Sequence, residues 1–209
     1  MRSIRTSPSL NNTLCPITGG KVCHCPGKTP TTIMGAALLI DMKSALRKVF
    51  TDHAVYTSTL ISESLPILQP PAEAVTERLL KNPQDIADLI EPIVGSSKAN
   101  AVKEQFSQHL LLAAGAVTEV REGNEETVAN AVNNFYEQGD KLARALYELN
   151  TNKLNSNTVK KLIREHNEHV VQLATLRKSQ EDHEYYAHYD IYYAHMLGIS
   201  DALHGALLP

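Results

Sequence analysis

The chain reads as an all-α protein: a six-helix bundle made of three related helical hairpins behind an irregular N-terminal arm. Three observations lead there. From about Ala36 onward, apolar residues recur every three or four positions, and no stretch alternates with the two-residue period of a strand. Clusters of Pro, Gly and Asn interrupt this pattern at helix-length intervals. Segments VFTDHAVYT (Val49–Thr57), QFSQHLLLA (Gln105–Ala113) and LIREHNEHV (Leu162–Val170) also resemble one another, with their histidines 56 and 57 residues apart.

Residues 1–35 form the arm, rich in Ser, Thr, Pro, Gly and Asn and without periodicity. Residues 36–209 form the helical domain, with hairpins at about 37–95, 96–151 and 156–205. The first helix covers roughly Ala37–Ser64 and stops at Leu65-Pro66. The second follows Pro70-Pro71, a favoured start for a helix, and ends near Pro92–Gly95; Pro83 should kink or divide it. The third, about Lys98–Arg121, stops at Glu122-Gly123-Asn124. The fourth, Glu125–Glu148, runs into NTNKLNSN. The fifth and sixth cover about Thr158–Lys178 and Glu181–Leu203.

Each hairpin carries a histidine on its first helix, His53, His109 and His166, with a bulky apolar residue three positions before it: Phe50, Phe106 and Ile163. Positions four, seven and eight after each histidine share its helix face, and that face is the apolar one. All three histidines should therefore point inward. The second helices carry Asp85, Asp140 and Asp190, spaced by 55 and 50 residues. Ile86, Leu89 and Ile93 favour burial of Asp85, whereas Arg144 makes the surroundings of Asp140 look exposed. Imidazoles and carboxylates on facing helices build metal centres in bundle cores, and this donor set suits Fe, Mn or Zn. The same residues equally form three structural pairs, each imidazole donating to the aspartate of its own hairpin, or a metal-free acid–base site. The Glu-x-x-His signature of di-iron bundles is absent.

Across residues 44–203, RKVFTDHAVYT, RLLKNPQDIADLIEPIVG, QHLLLAAGAV, FYEQGDKLARAL and YDIYYAHMLGISDAL occur in order. Together they resemble a family of small bacterial all-helical proteins marked by RKLWEDHxxWTR, RLLxNQxDIGxAIxPYYG, EHIxxAA, WYxNxDxIAxFL and YDxVHxxILxMADML. That family has no established activity, although members often carry names such as acetylglutamate kinase or glycosyltransferase. Neither name suits these residues: ITGGK (Ile17–Lys21) lacks phosphate-loop spacing, and no strand precedes it. The resemblance implies that His53, Asp85, His109, Asp140, His166 and Asp190 all belong to the family's pattern. The chain departs from that pattern at Pro83, Gln108, Ile93-Val94 and Tyr193, the last replacing a histidine. An Asp-x-x-His pair is thereby lost, because positions 190 and 195 lie about 140° apart on the helix.

The segment YYAHYDIYYAH, Tyr185–His195, holds five of the eight tyrosines. Their spacing describes two stripes on one helix, which reads first as packing with hydroxyls reaching polar partners. Tyr186 and Tyr193 are the candidates for lining a ligand beside the histidines. His183, His188 and His204 read as surface residues, and His169 and His195 as able to lean inward. In the arm, Cys15, Cys23, His24 and Cys25 form a possible second metal site of thiolate and imidazole donors, although the spacing matches no common zinc knuckle.

A net charge of −3 with interspersed signs excludes a nucleic-acid-coating protein. The longest apolar run, Ile33–Ile40, has eight residues against the ~20 that span a bilayer. These observations predict a soluble, cytoplasmic protein without a membrane span; export stays open, and the arm is the candidate contact for a protein partner.

Overall fold

A computed structural model describes residues 30–63 and 72–208. Among them are six helices and no strand: α1 (Pro30–Glu63), α2 (Ala72–Val94), α3 (Ser96–Glu122), α4 (Glu125–Tyr147), α5 (Ser156–Lys178) and α6 (Asp182–Leu207). The fold is all-α, and no described helix is long and apolar enough to cross a membrane. The chain divides after Ala37 into two compact units. In the first, the described residues 30–37 are helical, so α1 starts inside the segment expected to be irregular. Pro30 opens it, in the first turn, where the backbone N–H groups have no intrahelical acceptor to lose. Cys15, Cys23, His24 and Cys25 lie outside the described residues.

Within residues 38–209, α3 packs on α2, α4 and α5, and α5 also on α4 and α6. The links are short. Gly95 alone joins α2 to α3 at φ 82, a left-handed conformation that glycine adopts without strain. Asn124 caps α4 by accepting from the N–H groups of Glu126 and Thr127, and Asn155 caps α5 by accepting from Thr158. Of the two outcomes expected at Pro83, division does not occur: α2 runs through both Pro83 and Pro92. Leu79, Ile86 and Ile90 on the same helix are buried, and that burial outweighs the ~3 kcal/mol an internal proline costs.

One hydrogen bond per hairpin fixes the register. Asn82 Nδ2 donates to the Val49 carbonyl at 2.8 Å, Gln138 Nε2 to the Gln105 carbonyl at 3.1 Å, and His195 Nε2 to the Leu162 carbonyl at 2.9 Å. Each acceptor stands four residues before a buried histidine, and each donor 29 residues after it. Packing follows the same frame. Leu79, Phe135 and Tyr192 fill one equivalent layer, and Ile86, Leu142 and Ile199 another, all at most 6% exposed.

Candidate three-histidine site

His53 on α1, His109 on α3 and His166 on α5 are 1%, 1% and 4% exposed. The structure thus brings together the three histidines that periodicity sends inward. His166 is central: its ring centroid lies 5.5 Å from that of His53 and 5.4 Å from that of His109. Phe106 meets His53 edge-on at 5.3 Å, Phe135 lies 4.8 Å from His109, and Tyr192 lies 5.7 Å from His166. Apolar and aromatic neighbours therefore hold the rings.

Polar neighbours are few. Neither ring nitrogen of His109 makes a hydrogen bond within the protein, nor does Nδ1 of His53 or of His166. Burial pushes the His53 pKa down to about 4, the Asn82 carboxamide opposing, although no hydrogen bond of good geometry joins the two side chains. Burial and the charge of His53 take His109 down to about 3. His166 also falls well below the ordinary value, through burial and then the other imidazoles. All three rings are neutral at pH 7.

The aspartates stand elsewhere, which corrects the expected pairing. Asp85 forms an ion pair with Arg78 at 2.9 Å. Asp140 accepts two hydrogen bonds from Arg164, at 2.9 and 2.8 Å, and pairs with Lys160; these partners hold its carboxyl below the usual range. Asp190 is exposed. The physical reason is register: the buried polar positions of α2 and α4 are occupied by Asn82 and Gln138, and the aspartates lie two or three residues further on, toward solvent. A neutral amide is less costly to bury than a carboxylate. Asn82 and Gln138 went unnoticed in the sequence, although their spacing of 56 residues equals that of His53 and His109.

The tyrosines divide as packing predicts. Tyr185 and Tyr192 are fully buried. Tyr185 donates to the Ser58 carbonyl, accepts from Ser62, and lies under the Arg177 guanidinium at 4.2 Å. Tyr186, expected beside a ligand, is 60% exposed and rests edge-on against Tyr185. Tyr193 approaches Thr51 at 3.4 Å. Neither lines the cavity described next. Burial pushes the Tyr192 hydroxyl above its usual range, with Thr57 opposing. His188 is half-buried rather than on the surface: its Nε2 lies 3.1 Å from His169 Nδ1, and His195 packs against His169.

The three histidines line a cavity of about 170 Å³ between α1, α2, α3 and α5. Beyond the imidazoles, Thr57 and Thr76 its walls are aliphatic, including Ile61, Leu79, Leu110 and Val170, and it extends to Thr118 and Arg121. No carboxylate lines it. Its cause is local. Four residues after the histidine α1 carries Thr57 and α5 carries Val170, but α3 carries Ala113, within the run Ala113-Ala114-Gly115-Ala116. Small side chains there leave space that α1 and α5 fill. Among the described residues, no group of three or more His, Cys, Asp or Glu side chains is placed to hold a metal ion. No family model, curated protein or solved structure matches the chain.

Proposed function

We propose that the protein binds a small molecule in this cavity and that His53, His109 and His166 grip the ligand's polar end. One observation carries the reading: His109 is 1% exposed, lines the cavity, and makes no hydrogen bond through either ring nitrogen. A buried polar group left without a partner costs about 1–3 kcal/mol. A core selected only for stability has no use for such a group, whereas a binding site does, because its partner arrives with the ligand. This argues against the structural-pair alternative: Asp85 pairs with Arg78, Asp140 pairs with Arg164 and Lys160, and Asp190 is exposed. An apolar cavity of roughly 150 Å³ accepts benzene, so 170 Å³ suits a compact organic molecule.

A 15N NMR titration of the histidine side chains with phenol tests the reading. Shifts at His53, His109 and His166, and not at exposed His183, support it; saturating phenol without effect on those three rings overturns it.

A transition-metal ion is the second reading, supported by the imidazole donors His53, His109 and His166, although the three are not placed to share one ion without moving. His166 lies 5.5 Å from His53 and 5.4 Å from His109 between ring centroids, so an ion would be held first by one such pair. With the aspartates outside, imidazole-only ligation points to Zn or Fe ahead of Mn. Elemental analysis of protein purified without chelator or nickel column decides it. Near-stoichiometric metal that disappears in His109→Gln supports the ion; metal-free protein refutes it.

A further inference from the structure

The two ends of the cavity differ in charge, and the difference selects a ligand class. At one end stand three imidazoles held neutral by burial, able to donate or accept a hydrogen bond. At the other stands Arg121, in the last turn of α3, with Thr118 beside it. The lining contains one fixed positive charge and no acidic residue.

Two features compete for that charge. The carbonyl end of a helix carries about half a negative charge, but Lys178 from α5 already answers it by donating to the Val120 carbonyl at 2.7 Å. Glu122 accepts from Arg121 Nη2 at 3.0 Å. Its carboxylate is 65% exposed, however, so the pair is screened and weak, and the other guanidinium N–H groups keep their donor capacity.

Length agrees with charge. Twelve residues separate His109 from Arg121, roughly 18 Å of helical rise, and an arginine on a helix reaches back toward the N-terminus. The remaining span calls for a ligand extended along the helix. The aliphatic walls between the ends match its methylenes.

We propose that the cavity takes a short organic monocarboxylate with a second hydrogen-bonding group near its far end, the carboxylate on Arg121 and the far group on the histidines. This names the ligand class of the site proposed above and rests on that reading. A bidentate guanidinium–carboxylate contact orients the acid, and the imidazoles distinguish a keto or hydroxyl terminus from a methyl.

Calorimetric titration of the full chain at pH 7.5 with 6-oxoheptanoate, heptanoate and 2-heptanone tests it. The oxo acid should bind about tenfold more tightly than either partner compound. Arg121→Gln should erase its advantage over 2-heptanone, and His109→Leu its advantage over heptanoate. Arg121 is at the edge of the bundle, 26% exposed, so its replacement leaves the core intact. If 2-heptanone binds as well as the oxo acid, or Arg121→Gln changes nothing, the carboxylate assignment is wrong while the cavity remains a ligand site. If none of the three binds and phenol leaves the histidine signals unmoved, the binding site itself is refuted.

Discussion

Replacing His109 by leucine should make the ligand-free protein more stable, an unusual outcome for a fully buried residue at the centre of a bundle. His109 presents two ring nitrogens without a partner in the protein. Removing this unsatisfied polarity returns about 1–3 kcal/mol. Against it stand ring contacts with Phe135 at 4.8 Å and Phe106 at 6.1 Å, worth about 0.5–1.5 kcal/mol each at most and partly replaced by leucine's own dispersion contacts. The balance is a net gain of about 1 kcal/mol, which raises Tm by roughly 2–4 °C in a chain of this size. Urea denaturation at pH 7.5, followed by circular dichroism with an unchanged m-value, measures it. The same variant should lose its response to phenol. A fall in stability of 1 kcal/mol or more would refute the reasoning, because it would mean that His109 is satisfied in the native core.

Further expectations concern pH, register and packing. His53 and His109 have folded pKa values of about 4 and 3 against an ordinary 6.5. The unfolded chain therefore binds protons first as pH falls, and stability should decline from about pH 6.5 down through pH 4–3; His109→Leu should flatten that slope, read from urea midpoints against pH. Gln138→Ala removes the bond to the Gln105 carbonyl and should cost about 1–2 kcal/mol in the same denaturation assay. Gly139→Ala places a Cβ 2.5 Å from Asn167 Nδ2, forcing α4 and α5 apart at a cost of about 1–3 kcal/mol. Asp140→Asn alters the partly exposed ion pairs with Arg164 and Lys160 and should change stability by under ~1 kcal/mol and leave the histidine NMR signals in place; displaced signals would return the carboxylate to the site.

The helices were legible because their apolar period is long and their ends are punctuated. Gly95 and Gly123-Asn124 both stop or start a helix near where local chemistry says they must, while Leu65-Pro66 lies outside the described residues. Inward histidines were legible for the same reason: Phe50 and Phe106 mark the buried face one turn earlier. The polar partners were misread because periodicity gives a face and not a register. On α2, Asn82 and Asp85 are three residues apart, so both lie near one face, and only the position of Val49 on α1 decides that the amide enters. Chemical prominence drew attention to the carboxylates, while equal spacing pointed to Asn82 and Gln138. Pro83 left two outcomes open, since a propensity rule says nothing of what the rest of the helix buries. The cavity was the least legible feature, for it depends on side-chain volumes contributed by four helices at once.

Ala113 gives the site a character that the histidines alone do not. His53, His109 and His166 are followed four residues later by Thr57, Ala113 and Val170, and the cavity lies where α3 carries fewer atoms at that position than α1 and α5. Such a site is a subtraction from a filled bundle, made without a new loop, a shifted helix or an added functional group. Its size is then adjustable one methyl at a time. Ala113→Val, the side chain already carried at the matching position of α5, should close the chamber and leave three imidazoles in an ordinary packed core.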